Sequence, residues 1–307
     1  MRCKIFFLFF TSLTILSCFL NVSAQTKSVV LTIDDLPLNG PAIEIKRLQK
    51  MTDKILSVVK KERLPVFGFV NEGLLYAAGE TDARIAVLKM WNDAGVELGN
   101  HTFSHLGFKD APLEAFEDDF VRGEAVTNLL VKPKKVRYFR HPFLQMGATR
   151  ELEDAFEKFI GERGYKAVPV TIDPMDWMFL AAYAKALNEK DKNLQKRVSE
   201  DFLKFAALRI DAAEKKADGL FGRQIRHILL IHANELTADN FEALVKIFRD
   251  KGYRFETVED ALKDPAYRFP DKYLPTSDWL THWAFSEGKK FESPSPPEYI
   301  QQAFEGK

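Results

Sequence analysis

Apolar runs and helical periods alternate along this chain from about residue 28 to about residue 256. "SVVLTID" (Ser28–Asp34) is a β-branched, nearly uninterrupted apolar run, the pattern of a strand buried on both faces of a parallel sheet. Ile43, Ile45, Leu48, Met51, Ile55 and Val58 then recur at helical spacing within Ala42–Lys61. The same reading predicts strands at Pro65–Val70, at Val96–Asn100 before His101, and at Val136–Phe139, Ala167–Asp173, His227–His232 and Tyr253–Glu256. Helices are predicted over Asp82–Asn92, Leu113–Leu130, Thr149–Arg163, Leu194–Ala217 and Thr237–Asp250. No repeat, low-complexity tract or linker divides the series. It predicts a single α/β domain, a distorted (β/α) barrel of about seven or eight parallel strands, with a doubly wound open sheet as the second arrangement. From Asp264 onward Pro and aromatic residues dominate ("YRFPDKYLPTSDWLTHWAF"), so residues 264–307 are expected to pack on the barrel of residues 25–263.

The first residues follow another rule. Arg2 and Lys4 precede an apolar run from Ile5 to Leu20, which ends in Val22-Ser23-Ala24. That is the pattern of a secretory signal over residues 1–24, cleaved before Gln25, and its apolar run is short for a membrane span. A competing reading takes "LSC" as a lipoprotein box and anchors the chain through Cys18. Both cysteines, Cys3 and Cys18, lie in this segment, so the mature chain would rely on its core and not on disulfides. An exported protein, periplasmic or extracellular, is expected.

Charge excludes one class of partner. Lys+Arg and Asp+Glu both number 44, and no basic stripe marks a nucleic-acid footprint. A neutral or only locally charged substrate is expected.

The polar residues fall where a parallel α/β fold gathers them. Strand C-termini and the loops after them face one common opening. The first strand ends in Asp34-Asp35, the third in His101 with His105 beyond, and the next in Arg140-His141-Pro142-Phe143. The following one ends in "TIDPMDW", with Asp173, Asp176 and Trp177, and another in His232-Ala233-Asn234. Taken singly, a His pair or an Asp pair is more simply a turn, a cap or a surface feature. Converging on one rim, a carboxylate and two neutral imidazoles make a facial ligand set with coordination positions left open. Asp35, His101 and His105 supply that set for a divalent metal. Zn²⁺ is the expected ion, and Co²⁺, Ni²⁺ or Fe²⁺ suit the same ligands.

Five stretches, in order across Thr32–Asn234, resemble the motifs of the polysaccharide deacetylase family, also called the NodB-homology or carbohydrate esterase family 4 fold. "TIDD" resembles its TFDD, "HTFSH" its H-[ST]-x-x-H, "RHPF" its R-x-P-[FY], "DPMDW" its D-x-x-D-W and "LIHAN" its L-x-H. The resemblance implies a distorted barrel and hydrolysis of N- or O-acetyl groups, N-acetyl first, on an acetylated glycan by water activated at the metal. It further implies that Asp34 is the general base and His232 the general acid. Asp176 would tune His232, Arg140 would orient Asp34, and the Phe143 backbone N–H would help hold the oxyanion. Trp177 and Leu230 would wall a pocket for the acetyl methyl. Ile33 and Leu36 depart from the first motif, and Ala233-Asn234 from the fifth.

Other polar residues carry milder readings: Asp173 as a supporting residue or helix cap, His141 on the rim, and His227 at a strand start. His282 and the tail aromatics (Tyr267, Phe269, Tyr273, Trp279, Trp283, Phe285) read first as packing and second as a sugar platform. Two other functions stay open. A related barrel could hydrolyse small cyclic amides or imides under a lid drawn from Met178–Arg226, or the chain could bind glycans without catalysis. A binder would have little use for Asp34, Asp35, His101, His105 and His232 together.

Overall fold

The computed structural model describes residues 27–272 and 277–306. The signal-segment and Cys18 readings, and Tyr273, lie outside the described residues. The described chain contains β1 (Ser28–Leu36), α1 (Ile45–Glu62), β2 (Val66–Val70), α2 (Thr81–Asp93), β3 (Glu97–Asn100), α3 (Leu113–Arg122), α4 (Ala125–Leu130) and β4 (Arg137–Phe139). It continues with α5 (Arg150–Glu162), β5 (Tyr165–Ala167), α6 (Asp176–Asn188), α7 (Lys192–Phe221), β6 (Arg226–His232), α8 (Glu235–Asp250) and β7 (Arg254–Phe255). Three short helices follow: α9 (Val258–Ala261), α10 (Trp279–Ser286) and α11 (Glu298–Phe304).

The strands form one parallel sheet in the order β5-β4-β3-β2-β1-β6, with β7 beside the start of β1. Beyond β5 the chain crosses from one end of this sheet to the other. Val168 N–H still donates to Phe139 O of β4 at 2.8 Å, whereas Thr171 N–H donates to Ile228 O of β6 at 2.9 Å. The two ends are thereby drawn together into a distorted barrel, and the open doubly wound sheet is ruled out. The strand expected over Ala167–Asp173 is correspondingly not one element. Pro169 has no N–H to continue a ladder, and only an isolated bridge, Ile172 to Leu229, follows it.

Alternation along β1 sorts its side chains. Val29, Leu31 and Ile33 join the helix-facing core with Leu48, Ile55 and Phe241. Val30 joins Phe67, Phe69, Tyr138 and Ile228 inside the barrel. Full burial of each such side chain contributes roughly 1.5–3 kcal/mol. Thr32 and Asp34 share the inward phase of Val30, which carries the polar residues up the barrel to its mouth.

Two expectations change here. The helix expected over Leu113–Leu130 is two, α3 ending at Arg122 and α4 starting at Ala125, and the Gly123 between them packs where a Cβ would come within 2.4 Å of the Thr102 backbone. The segment Met178–Arg226 is no lid. It forms α6 and α7, whose Phe179, Phe202 and Phe205 share a buried cluster with Ile300 of α11. The tail is held in the same way, with Leu280 and Trp283 of α10 fully buried in the main core. Among the described residues no helix is long and apolar enough to cross a membrane.

Candidate active site

Asp34 and Asp35 are consecutive, yet both turn to the barrel mouth. The pairing of β1 with β2 runs Ile33 to Gly68 and then Leu36 to Val70, so β1 carries one extra residue there. Asp35 takes up that residue in the left-handed region, at φ 60°. A bulge of this kind re-aims a side chain that strict alternation would send to the opposite face. Non-glycine residues held in that region cost on the order of 1–3 kcal/mol each. Asn39 anchors the result: its Nδ2 donates to Asp35 Oδ2 at 2.7 Å, and its N–H donates to Ala233 O at 2.7 Å.

The His101–His105 loop is held with equal care. Thr102 and His105 both have left-handed backbones, at φ 63° and 59°. Phe103 N–H donates to Asp119 O, and Ser104 donates its N–H and Oγ–H to the Asp119 carboxylate. Asn71 Nδ2 donates to His101 O, and Asn100 Oδ1 accepts Thr102 N–H. His101 Nδ1 lies 2.8 Å from Arg140 O, which assigns the ring proton to Nδ1 and leaves Nε2 as the free lone pair. His101 Nε2 and His105 Nε2 each stand 3.4 Å from one atom, Asp35 Oδ1. That oxygen is buried without a hydrogen-bond partner, as is Asp34 Oδ1. Burial pushes the His101 pKa down to about 3, helped by His105, and lowers that of His105 too. Against the opposing effect of burial, His105 and His101 hold Asp35 below the usual carboxylate range. An ionised carboxylate and two neutral imidazoles converging on an unsatisfied buried oxygen fit a divalent cation. Among the described residues this is the cluster with metal-ligand spacing.

The proton-handling groups flank it. Asp34 sits opposite His232 in the β1–β6 register. Burial pushes the Asp34 pKa up to about 6, while the charges of Arg140 and His232 restrain the rise. The buried Arg140 guanidinium lies 3.4 Å from Asp34 Oδ2 and donates to Thr32 Oγ1 at 3.1 Å. His232 Nδ1 lies 2.9 Å from Asp176 Oδ1. Despite burial, Asp176, and then Asp35 and Asp34, push the His232 pKa up to about 10. Asp176 is itself fully buried, and its Oδ2 accepts from His232 N–H, Asn234 Nδ2 and Thr237 Oγ1.

Phe143 has φ 55° and sets its ring edge-on to His105, with centroids 4.3 Å apart. Leu230 forms an apolar floor with Leu144 and Val170, and Trp279 of α10 packs against it. Trp177 turns elsewhere. Its ring meets Phe304 edge-on, at 5.1 Å, beside a trough that Leu230 does not line. The structure thus brings the expected ligands and proton-transfer residues together, but seats Trp279 rather than Trp177 beside Leu230.

Sequence reasoning gave no role to Thr32, Asn39, Asn71, Asp119 or Asn234, and read Trp279 only as packing or a sugar platform. Asn234 could have been found, since Asn three residues before Thr237 at the head of an apolar-periodic run is an N-cap signal, and its Oδ1 does cap α8. Asp173 accepts the Met175 N–H at 2.7 Å and so shapes the turn into α6. His141 is not on the rim; it is buried among Phe108, Phe116, Phe139 and Phe156. His227 is buried too, and His282 stacks on Trp279 with Nδ1 2.8 Å from Asp271 Oδ2.

Residues 21–158 match the family model described as polysaccharide deacetylase. Three solved structures resemble the fold. A wild-type CE4 family pseudoenzyme from Bacillus anthracis is 17% identical, with a TM-score of 0.53 over 78% of this chain and 66% of that one. A polysaccharide deacetylase from Bacillus cereus is 19% identical, with a TM-score of 0.52 over 75% of this chain and 91% of that one. A family 4 acetyl xylan esterase from Clostridium thermocellum, solved with a cobalt ion, is 17% identical, with a TM-score of 0.51 over 77% of this chain and 90% of that one. At these identities the structures speak to fold, and the sequence match speaks to kinship. With that match over residues 21–158 and its five motif stretches gathered at one barrel mouth, this chain resembles the polysaccharide deacetylase family in sequence and in fold.

Proposed function

We propose that this protein is an exported, divalent-metal-dependent hydrolase that removes acetyl groups, N-acetyl foremost, from a polysaccharide or oligosaccharide. One observation carries the reading: a complete Asp35–His101–His105 ligand set shares one rim with the Asp34 carboxylate and the Asp176-held His232 imidazole.

Asp35, His101 and His105 would hold the ion, Zn²⁺ foremost, which supplies a lowered water pKa and a polarised carbonyl. The protein's own groups do the rest. Asp34, with a pKa near neutrality, accepts a proton from the attacking water at its carboxylate. Arg140 keeps that carboxylate aimed at the mouth. By the family resemblance the Phe143 backbone N–H helps hold the developing oxyanion, and the Leu230 floor receives the acetyl methyl. His232, charged at neutral pH, gives its proton to the departing amine, and Asp176 holds its Nδ1 throughout. An amine leaves readily only once protonated, which is why the site needs both an acid and a base.

The test is acetate release from N-acetylglucosamine oligomers, peptidoglycan and acetylated xylan, with and without a chelator, beside Asp34→Asn. Chelator-sensitive release that vanishes in the variant supports the reading, and the responding polymer names the substrate. With metal bound but no release from any glycan, the reading fails in favour of small amides or of binding alone.

A further inference from the structure

One face of α6 lies open. Trp177, Leu180, Ala181, Ala184, Lys185 and Asn188 recur along it at helical spacing, and with Pro41 on one side and Phe304 on the other they line a trough of about 560 Å³. Its volume falls within the range of ligand sites. Its floor is small and apolar, and Lys185, Asn188 and Glu189 supply polar groups at its far end. Phe304 is 48% exposed, while Ile300 one turn earlier is fully buried, so the helix is seated by Ile300 and the Phe304 ring is left for the trough.

Two chain segments join this trough to the catalytic rim. Trp177 directly follows Asp176, which holds His232. Pro41 lies two residues beyond Asn39, which holds Asp35. Leu180 stands against this loop so closely that a Cβ on Gly40 would come within 2.7 Å of it. Flat aromatic and proline faces above small side chains suit the C–H faces of pyranose rings, and the polar end suits hydroxyl and acetamido groups.

Building on the deacetylase reading, we propose that the trough along α6 is a glycan subsite. It binds the sugar residues next to the one being deacetylated, with Trp177 and Phe304 as its stacking rings. The enzyme then favours oligomers long enough to reach from the rim to Phe304.

The experiment compares kcat/KM of the full chain on N-acetylglucosamine dimer and hexamer, for wild type, Phe304→Ala and Ala184→Trp. The second variant fills the trough without removing a ring, and thermal melting confirms that each is folded. We expect the hexamer-to-dimer ratio to fall about tenfold in both, the scale of one lost aromatic stacking contact. Hexamer affinity is measured in parallel by calorimetry on Asp34→Asn, with and without Phe304→Ala. If no glycan is turned over but hexamer binding weakens with Phe304→Ala, the subsite stands and the catalytic reading falls. A ratio and affinity unchanged in both variants, or wild-type activity with no gain from chain length, overturns the subsite.

Discussion

Asp34 and His232 occupy directly paired positions on the adjacent strands β1 and β6, so the candidate base and acid share one rung of the sheet. Burial raises the first, and carboxylates raise the second, so at neutral pH they are poised for opposite proton transfers. Two titratable groups whose surroundings push them into opposite roles are the usual mark of an acid–base pair.

Removing either group should therefore cost rate and not metal. Asp34→Asn and His232→Gln are each expected to lower kcat by about 10²- to 10⁴-fold. Metal analysis of the purified variants should find the wild-type ion content, because neither residue belongs to the Asp35–His101–His105 set.

The acid limb of the rate profile follows from Asp34. Its pKa is pushed up to about 6 by burial, and a bound cation would draw it lower, so kcat/KM should fall as pH drops through about 6 or somewhat below. Arg140 lowers that pKa, so Arg140→Gln, if circular dichroism shows it folded, should move the limb to higher pH. A limb that stays in place would take Arg140 out of the account.

The basic limb belongs to His232. Asp176 raises its pKa both by charge and by the hydrogen bond to Nδ1. Asp176→Asn should lower it, and the alkaline fall in kcat/KM should begin at lower pH than in the wild type. Variation of the rate with pH, at fixed metal concentration, reads this directly.

Much of this site was legible because its chemistry sits at strand ends. Asp34, Asp35, His101, Arg140 and His232 follow apolar runs that declare themselves, and a parallel sheet collects such ends at one mouth. What stayed hidden was set by tertiary contact. Nothing local shows that Gly123 must admit the Thr102–Phe103 backbone, or that Asp119 must anchor Ser104 from another helix. Trp279 reaches Leu230, and Trp177 meets Phe304, because α10 and α11 return from far along the chain. Pro169 was visible as a strand breaker, but the switch of partners from β4 to β6 was not.

His227 gives a stability prediction away from the catalytic rim. It is fully buried, with Nδ1 3.2 Å from Thr171 Oγ1, and burial pushes its pKa down to about 3. An unfolded histidine titrates near 6.5, so the unfolded chain takes up this proton first. The contribution is complete above about pH 6.5 and is lost as pH falls from there toward 3, by about 1.4 kcal/mol per pH unit at most. His227→Gln should therefore show a shallower drop in Tm between pH 6.5 and 4.

Metal occupancy and turnover can be followed together in one titration. The full chain, stripped with chelator and dialysed, is titrated with Zn²⁺ while acetate release from N-acetylglucosamine oligomers is followed, beside His105→Ala. About one ion should bind per chain, with acetate release rising in step with occupancy, and neither should be seen in the variant. Full acetate release from the metal-free wild type, or tight stoichiometric binding retained by His105→Ala, would contradict it.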